Sequence, residues 1–311
     1  MAGEEQLVEV GGRTLRLRNL DKVLYPSTGT TKGELLHYLT GVAGLLLPHL
    51  RDRPATRKRW PDGVEAGPTF FEKNVPRGAP SWLRDVTLPA PGSTKDREMV
   101  TYPLIDDLAG LMWAANLAAL ELHVPQWRVG PRGAAKNPDL LVIDLDPGPP
   151  AGLPQCAEVA LAVRERLQED GLDPHPVTSG GKGMQLYAAV SGKQDSATVS
   201  DYAHRLAEEL EKSLPRLVVS RMNKNLRKNR VLLDWSQNNG AKTTICPFSP
   251  RGRERPTAAA PRSWDELSDP GSLLQLEFGD VLERIEDVGD PLASSLPSGG
   301  ATGVGPKVPT S

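Results

Sequence analysis

The sequence predicts an α+β protein in which a split β-α-β-β-α-β sheet packs against a second, N-terminal α/β lobe. Two observations carry this prediction. In residues 136–290, apolar runs of strand length alternate with helical patterns in the order strand, helix, strand, strand, helix, strand. In residues 1–135, short strand patterns surround apolar helical segments. A chain of 311 residues is long enough for one large domain with two such lobes.

The N-terminal lobe begins with a hairpin and a helix. Residues 7–17 alternate apolar and polar side chains around a Gly-Gly pair, which is typical of a β-hairpin. The apolar residues of 30–50 then recur at helical spacing. We therefore expect one helix there, with Thr30 or Thr31 as its cap.

Short strands and a buried helix complete this lobe. Strands are expected at 54–60 and 69–73. A helix formed by residues 106–120 would be apolar on almost every face, which predicts that it is buried. The run at 120–127 has the pattern of a strand that ends at Pro125.

The second lobe is more regular and is followed by a tail. The predicted elements are strands at 140–145, 175–179, 184–190, 216–220 and 230–235, and helices at 154–169 and 197–213. Residues 291–311 are rich in Gly, Pro, Ser and Thr and show no periodicity. Such a segment cannot form a core, so we expect a flexible tail or linker there.

The composition narrows the class of protein. The net charge is −2, but Lys and Arg cluster in 51–60, 221–230 and 251–255, which favours a local basic groove. Two cysteines without a CxxC motif exclude a disulfide framework and a Cys-rich zinc site. Nothing resembles a signal peptide, and no apolar run reaches about 18 residues, so we expect a cytoplasmic location without membrane contact.

The run LLVIDLDPG ends a predicted buried strand with two aspartates. Asp144 and Asp146 are two residues apart, so their side chains share one face of the strand. Two buried like charges are costly unless a cation lies between them, and Asp234 ends another apolar strand of the same predicted sheet. Three carboxylates can hold two Mg²⁺ or Mn²⁺ ions, although aspartates also cap turns after strands.

Several further segments offer groups that suit a nucleoside triphosphate. The turn within TSGGKGMQLY combines glycine N–H groups with Lys182, although an isolated turn of this kind is more often only a hairpin turn. Lys58 at a strand end and Arg251 offer cations for phosphate oxygens. Of the adjacent Phe70 and Phe71, core packing explains one ring, and stacking on a base would explain the other.

Taken together, nine segments resemble the polymerase domain of bacterial ligase D, which belongs to the archaeo-eukaryotic primase superfamily and serves non-homologous end joining. The segments are NLDKVLYP, TKGELLHYL, RPATRKRWPDG, FFEKN, LELHVPQWR, LLVIDLDPG, TSGGKGMQLY, VLLDWSQNNGAKTTICPFSPRGR and SWDEL. They follow one unbroken order over about residues 15–290, which is far more specific than any one of them. The resemblance implies a primase-type catalytic core with an RRM-like palm sheet at 136–290, as a domain of a longer ligase or as a stand-alone homologue.

The resemblance also implies roles for the matching residues. Asp144, Asp146 and Asp234 would hold two divalent metal ions, commonly Mn²⁺ in this family, and serve catalysis. The residues expected to bind the nucleotide are Asn19, Lys58, His123, Ser179, Lys182, Gln237 and Arg251. Those expected to contact DNA are Lys22, Lys32, Arg59, Phe70, Phe71, Lys224 and Arg227. Lys22 and Lys32 would bind the 5′-phosphate of a break, where the helix start adds free N–H groups.

The implied function is template-dependent nucleotidyl transfer, with ribonucleotides preferred, at gaps and double-strand-break ends. The implied partners are DNA with gaps, overhangs or 5′-phosphorylated breaks, NTPs or dNTPs, Ku, and an ATP-dependent DNA ligase on the same or a separate chain. The implied location is the bacterial cytoplasm, in association with the nucleoid. One residue departs from the family, because Gln185 stands where a histidine is frequent, and we expect a neutral hydrogen-bond partner there.

Two other functions compete with this interpretation. A haloacid-dehalogenase-type phosphatase would use Asp144 as nucleophile and Asp146 as acid, but Gly148 stands where that class usually has Thr or Val. A non-catalytic module that bridges DNA ends would need only the basic groove, and the three intact aspartates argue against it.

Overall fold

The computed structural model describes residues 5–89, 98–292 and 304–310. Its two largest sheets have six and four strands, and helices pack against both of them. This mixture confirms the predicted α+β class. Within the described ranges, no helix is both long enough and apolar enough to cross a membrane.

The N-terminal lobe consists mainly of short antiparallel strands. Its strands are β1 (Glu5–Val10), β2 (Arg13–Arg18), β3 (Val23–Tyr25), β4 (Thr30–Thr31), β5 (Thr56–Arg59), β6 (Phe70–Glu72), β7 (Asp85–Pro89), β8 (Met99–Pro103), β9 (Ala119–Val124), β10 (Trp127–Val129) and β11 (Ala135–Pro138). Its helices are α1 (Lys32–Gly41), α2 (Ala43–Leu50) and α3 (Leu108–Asn116). Strands β1 and β2 form the predicted hairpin, and β5 and β6 lie within the ranges predicted as short strands.

The single helix predicted for residues 30–50 is in fact two helices. Helix α1 is capped by Thr31, whose hydroxyl accepts a hydrogen bond from the N–H three residues further on. The helix is interrupted at Val42, where φ is −91° and ψ is 0°, and α2 begins at the next residue. Just before the break, Gly41 lies against Leu282, and a Cβ there would come within 2.5 Å of that side chain. Because the apolar spacing continues across the break, the pattern alone predicted one helix.

The buried helix is shorter than the predicted range of 106–120. Asp107 caps α3 by accepting a hydrogen bond from the Gly110 N–H. The helix ends before Ala118, whose φ of +57° turns the chain into β9. Strand β9 ends at Val124, directly before proline, as predicted.

The second lobe is built on the six-stranded sheet. The strands of this sheet are β12 (Leu140–Pro147), β13 (Pro174–Thr178), β14 (Met184–Ala189), β15 (Val218–Val219), β16 (Val231–Asp234) and β18 (Ala260–Pro261), and β17 (Thr244–Ile245) joins the four-stranded sheet. The helices of this lobe are α4 (Leu153–Glu169), α5 (Ser196–Ser213), α6 (Trp264–Leu267) and α7 (Phe278–Val288). The chain order β12-α4-β13-β14-α5-β15 matches the predicted arrangement. The sheet order is β15-β16-β12-β14-β13-β18, so β16 lies between β15 and β12 and brings Asp234 directly beside β12.

Strand β12 separates two apolar cores. Ile143 and Leu145 pack in the core that α4 and α5 cover. Val142 faces the opposite way, into the core of the N-terminal lobe. Asp144 and Asp146 continue the face of Val142, because side chains alternate along a strand. Both carboxylates are therefore directed into the cleft between the lobes.

The chain returns to the N-terminal lobe after the predicted boundary near residue 135. Strand β17 pairs with β9 in the four-stranded sheet, whose order is β17-β9-β5-β6. Phe278 of α7 stacks on Tyr38 of α1 with ring centroids 4.2 Å apart. These contacts join the two lobes across the cleft.

The last described segment, residues 304–310, lies against the second lobe. Val308 is 2% exposed and belongs to the core beneath α4 and α5. This packing differs from the tail without core contacts that the composition predicted. One buried valine in a segment rich in glycine and proline produces no periodic pattern, so periodicity did not detect it.

Candidate active site

Three aspartates meet at the ends of two adjacent strands. Asp144 of β12 is the direct cross-strand partner of Asp234 of β16, and Asp146 lies two residues further along β12 on the same face. Burial raises the pKa of Asp144 to about 7, and the neighbouring charges of Asp234 and Asp146 contribute to this rise. The structure thus brings together the three carboxylates that the sequence predicted to act jointly.

Two of these carboxylates already have hydrogen-bond partners. Asp146 is half exposed, and its Oδ2 accepts a hydrogen bond of 3.0 Å from the Arg227 guanidinium. Asp234 accepts from the Gln237 amide at 3.0 Å and from the Ser236 N–H at 3.1 Å. Gln237 and Arg227 therefore lie at the carboxylates.

The carboxylates provide the oxygen ligands that hard divalent cations prefer. Among the described residues, no three side chains of His, Cys, Asp or Glu stand close enough to hold an ion in this arrangement. Asp146 is instead engaged in an ion pair of 3.0 Å with Arg227. A cation would relieve the repulsion that helps to raise the pKa of Asp144. In the chemistry of their donor atoms, the three carboxylates therefore fit a hard divalent cation.

Gln185 occupies the other side of Asp144. It is the direct cross-strand partner of Asp144 on β14, and its amide Nε2 donates a hydrogen bond of 3.1 Å to Oδ1 of that aspartate. Its Oε1 lies 2.9 Å from the hydroxyl of Tyr187, which is also 2.8 Å from the carbonyl of Ile245. The hydroxyl has one proton and donates to one of these oxygens at a time. Gln185 is thus a neutral hydrogen-bond partner of Asp144.

Replacing Gln185 with histidine should change the rate of nucleotide addition by less than about tenfold, or roughly 1.4 kcal/mol of barrier. A neutral imidazole can keep one hydrogen bond to Asp144, and Gln185 itself offers no proton for acid-base chemistry. Steady-state kcat and KM for single-nucleotide extension would test this. A much larger gain in rate would show that this position takes part in proton transfer.

A cleft of about 230 Å³ opens beside the aspartates and collects most of the predicted nucleotide-binding residues. Those that line it are His123, Ser179, Lys182, Gln237 and Arg251. Thr243, Thr244 and Arg253 also line it and were not predicted. The cleft therefore places cations, hydroxyl groups and amides within one space next to three carboxylates. Such a set suits a polyphosphate whose reacting phosphorus lies near the aspartates.

Glu121 organises the basic side of this cleft. It is buried on β9, and its carboxylate lies 2.9 Å from His123 Nε2 and 3.3 Å from Arg251 Nε. It also accepts a hydrogen bond of 3.2 Å from the Gly252 N–H, and Lys58 is its cross-strand partner on β5. Burial alone would raise the pKa of Glu121, but the hydrogen bond from His123 and the charges of Arg251 and Lys58 lower it to about 2. Glu121 is therefore an anion at neutral pH that holds two cleft residues, His123 and Arg251, in place.

Sequence reasoning missed Glu121, although a signal for it existed. Glu121 and His123 are two residues apart on one strand, which is the same spacing that identified Asp144 and Asp146. Their side chains therefore share a face, and the structure shows them in contact. Burial lowers the pKa of His123, and the charges of Arg251 and Lys58 lower it further, whereas Glu121 opposes this shift.

The glycine turn between β13 and β14 is shaped mainly by packing. A Cβ on Gly183 would lie 1.9 Å from the Leu145 carbonyl oxygen of β12. The N–H of Gly180 donates to Gln275 Oε1, and the N–H of Gly181 donates to Ser179 Oγ at 3.2 Å. These two N–H groups are thus already used, which differs from the expectation that the glycines free them for phosphate. Lys182 is exposed on this turn at the edge of the cleft.

Lys22 and Lys32, the residues expected to bind a 5′-phosphate, lie close enough for the charge of one to affect the pKa of the other. Burial lowers the pKa of Lys32 to about 8, and the charges of Lys22 and Arg18 add to this effect. The Lys32 ammonium donates one hydrogen bond, of 2.6 Å, to the Arg18 carbonyl. Lys22 forms a half-exposed ion pair of 3.1 Å with Asp62, a contact that contributes little on a surface. Lys22 is thus partly exposed and Lys32 is buried beside it, and each ammonium has donors beyond these contacts.

The start of α1 does not offer the free N–H groups that we expected. The Lys32 N–H donates to the Lys22 carbonyl, and the Gly33 N–H donates to the Leu20 carbonyl, both at 2.8 Å. The third N–H donates to the Thr31 hydroxyl within the capping box. Strand β3 and the loop before it fold back over the helix start and occupy these donors, so any phosphate site here depends on the two ammonium groups.

Three predicted residues lie away from their expected positions. Lys58 does not line the nucleotide cleft. Asn19 is also absent from that lining. It adopts a φ of +54° in the loop before Lys22, and its carbonyl accepts the Lys22 N–H at 3.1 Å, so it belongs with the paired lysines. The Arg59 guanidinium donates hydrogen bonds to the Glu72 carboxylate at 2.9 Å and to the Leu117 carbonyl at 2.7 Å, both within the N-terminal lobe. That engagement argues against a DNA contact by Arg59.

Both predicted aromatic residues are exposed. Phe70 is 42% and Phe71 is 51% exposed, because β6 is an edge strand of the four-stranded sheet. The expectation that one ring is buried in the core was therefore wrong. The edge of the Phe71 ring contacts His123 with centroids 5.6 Å apart, which places that ring at the mouth of the cleft.

The basic run at 221–230 is fixed beside the aspartates. A Cβ on Gly148 would lie 2.0 Å from the carbonyl oxygen of Arg227, so only glycine permits this approach of the loop to the end of β12. The Gly148 N–H donates to the Arg230 carbonyl at 2.9 Å. Lys224 lies exposed in the same loop. The loop thus places Arg227 on Asp146 while Lys224 faces solvent.

Adjacent strands that end in three carboxylates, beside a cleft with a buried basic wall, define the class of enzymes that transfer nucleotides from a triphosphate, as primases and polymerases do. The family described as LigD, primase-polymerase domain, matches residues 31–292. The chain belongs to this family, whose general activity is of the polymerase or primase kind and whose enzyme class generally uses divalent metals.

Known proteins resemble the chain over most of its length. A solved structure, the polymerase domain from Mycobacterium tuberculosis ligase D in complex with DNA, matches with a TM-score of 0.85 and 48% identity over 90% of this chain and 97% of that chain. The multifunctional non-homologous end joining protein LigD of Mycolicibacterium smegmatis is 47% identical over 90% of this chain and 36% of its own length. The bifunctional LigD of Bacillus subtilis is 31% identical over 89% of this chain and 43% of its length.

The chain thus spans well under half the length of these curated relatives. The match favours a polymerase over a haloacid-dehalogenase-type phosphatase. Both strands beside Asp144 in the sheet, β14 and β16, are antiparallel to β12.

Proposed function

We propose that the chain is a template-dependent nucleotidyltransferase that adds nucleotides, preferably ribonucleotides, at gaps and double-strand-break ends in non-homologous end joining. The observation that carries this proposal is the meeting of Asp144, Asp146 and Asp234 beside the cleft formed by His123 and Arg251. The similarity to a ligase D polymerase domain that was solved with DNA supports DNA as the substrate.

In the proposed reaction, the 3′-hydroxyl of a primer attacks the α-phosphate of a nucleoside triphosphate, and pyrophosphate leaves. Arg251, Lys182 and His123 hold the triphosphate, and Glu121 fixes the orientation of two of them. Asp144, Asp146 and Asp234 would hold two Mn²⁺ or Mg²⁺ ions, which lower the pKa of the attacking hydroxyl and stabilise the leaving pyrophosphate. Gln237 links Asp234 to the cleft through its 3.0 Å hydrogen bond.

DNA would lie across the cleft mouth in this proposal. Phe70 and Phe71 present two exposed rings on which bases can stack. Lys224 and Arg227 flank the aspartates where the primer end would enter. Ku and an ATP-dependent DNA ligase, on the same or a separate chain, are the partners that this role requires.

A primer-extension assay tests the function directly. We expect pyrophosphate release that requires primer, template and a divalent cation together, with ribonucleotides used more efficiently than deoxyribonucleotides. Release of inorganic phosphate without a template would support a phosphatase instead. DNA binding with no extension under any metal would support the end-bridging alternative.

Lys22 and Lys32 provide a prediction about the downstream end of the break. Gapped DNA with a 5′-phosphate should bind more tightly than the same DNA with a 5′-hydroxyl, because two adjacent ammonium groups have spare donors for the phosphate. Lys22→Ala and Lys32→Ala should each remove most of this difference and reduce the salt dependence of log affinity by about one unit or less. Binding titrations at several salt concentrations measure both, with Lys212→Ala, an exposed lysine on α5, as the control.

The tighter binding of DNA with a 5′-phosphate than of DNA with a 5′-hydroxyl should also depend on pH. The pKa of Lys32 is about 8, so the side chain is charged at pH 7 and mostly neutral at pH 9, while the terminal phosphate stays ionised. The advantage of the 5′-phosphate should therefore fall by up to about tenfold over this range. Lys32→Arg should flatten the dependence, because arginine stays charged. Equal pH dependence for phosphorylated and hydroxyl DNA would contradict a dedicated pocket.

A further inference from the structure

Residues 304–310 form a docked segment outside the part of the chain that matches the family. The second lobe recognises the main chain of this segment. The Ser191 N–H donates a hydrogen bond of 2.9 Å to the Pro306 carbonyl. Gln194 bonds both main-chain groups of Val308, because its Nε2 donates to the carbonyl and its Oε1 accepts from the N–H, each at 2.8 Å. This pair of hydrogen bonds from one side chain fits an extended main chain in one register only.

Further contacts fix the two sides of the segment. Arg205 of α5 donates a hydrogen bond of 2.7 Å to the Pro309 carbonyl. Gly305 lies so close to the end of β14 that a Cβ would come within 2.0 Å of the Ala189 carbonyl oxygen. No side chain other than hydrogen fits at that position without displacing the segment.

One side chain of the segment enters the core. Val308 is 2% exposed among the apolar residues beneath α4 and α5, whereas Val304 is 61% exposed in the same segment. The groove thus combines main-chain hydrogen bonds with a single apolar anchor. That combination is typical of sites that bind an extended peptide.

The groove lies away from the carboxylates. It begins where β14 ends, at Ala189, which is the cross-strand partner of Leu140 at the start of β12. Asp146 lies six residues further along β12, which corresponds to about 20 Å at roughly 3.3 Å per residue. The docked segment therefore occupies the opposite end of the sheet from the cleft.

We propose that Ser191, Gln194 and Arg205 form a peptide-binding site whose ligand is this chain's own segment 304–310. The ligand class is an extended, proline-flanked peptide with glycine and valine three residues apart. The site is independent of the proposed catalytic function, because none of its residues lines the cleft.

Covalent attachment explains how modest contacts can hold the segment. Eleven residues, 293–303, join it to the rest of the chain. Tethers of this length give effective concentrations on the order of millimolar, so a peptide with weak affinity in solution is docked most of the time on its own chain. The same peptide added in solution should then need concentrations of that order to bind.

Amide hydrogen exchange of the full chain, followed by NMR, tests the docking. The Ser191 N–H reports on the groove, and the adjacent Val190 N–H, which donates to the Asp139 carbonyl at 2.9 Å, is the internal control. Val308→Asp should speed exchange at Ser191 at least tenfold and leave Val190 protected, because a charge cannot enter the core without a partner. Val304→Asp should match the unmodified chain. Fast exchange at Ser191 in the unmodified chain, or equal effects of the two variants, would overturn the proposal.

A peptide of residues 304–310, added to the full chain carrying Val308→Asp, tests recognition itself. Protection of the Ser191 N–H should return at millimolar peptide. A peptide with Gly305→Ala should fail to restore it, because its Cβ meets the Ala189 carbonyl. No protection by either peptide would overturn the peptide site. Protection in the unmodified chain that depends on protein concentration would show exchange between two chains and overturn docking within one chain.

Discussion

Replacing Asp144 with asparagine is expected to lower nucleotide addition by at least about 10³-fold, or roughly 4 kcal/mol of barrier. Asp144 lies between Asp234 and Gln185 on neighbouring strands and is the most central of the three carboxylates. Asparagine keeps the shape and can still accept the hydrogen bond from Gln185, but it cannot supply a charge to a divalent cation. The loss should therefore fall on catalysis and leave DNA affinity largely intact.

Thermal unfolding gives a second readout that does not depend on activity. Repulsion between carboxylates and burial raise the pKa of Asp144, so removing its charge should not lower the melting temperature in metal-free buffer. Adding Mn²⁺ should raise the melting temperature of the unmodified chain and have little effect on the variant. Asp201→Asn, at an exposed position on α5, is the matched control and should behave like the unmodified chain in both measurements. Extension retained by Asp144→Asn would rule out metal-ion catalysis at this site.

The sequence predicted the placement of the carboxylates because strand alternation is a local rule. Two aspartates spaced by two on an apolar strand must share a face, and the structure confirms it for Asp144 and Asp146. The position of Asp234 was harder to predict, since it depends on β16 entering the sheet between β15 and β12. No local pattern records which strands become neighbours. The resemblance to a family supplied that long-range information.

The predictions that differ from the structure share one cause, since each depends on contacts between segments that are distant in the sequence. The N–H groups at the start of α1 are occupied because the preceding loop folds back over them, which no capping signal reveals. Phe70 is exposed because β6 is an edge strand, a property of the sheet and not of the segment. Val308 is buried by main-chain recognition at Gln194, a contact 114 residues away in sequence. Local periodicity therefore predicts the face of a helix or strand on which a side chain lies. It seldom predicts which other segment of the chain packs against that face.

Replacing Glu121 with glutamine is expected to weaken nucleotide binding by about 10- to 100-fold, with a smaller effect on kcat. A hydrogen bond to a charged group contributes about 1.5–3 kcal/mol, and Glu121 makes one with His123 in addition to its ion pair of 3.3 Å with Arg251. Glutamine has nearly the same shape but cannot neutralise the cations that Glu121 now balances. Arg251 and Lys58 would repel each other without it, and the cleft would lose the arrangement that receives phosphate.

The pKa of His123 separates this positioning role from a merely structural one. Glu121 stabilises the protonated imidazole, so its loss should lower the pKa of His123 further below the usual histidine value. An NMR titration of the His123 ring, together with nucleotide titrations, measures both effects on one preparation. Glu165→Gln, an exposed position on α4, should change neither, and Glu121→Asp should restore part of the affinity because it returns the charge at a greater distance. In the Glu121→Gln variant, the pKa of His123 could fall while the affinity for nucleotide stays unchanged. The contact between Glu121 and His123 would then be lost without effect on binding, and Glu121 would not be a positioning residue for the triphosphate.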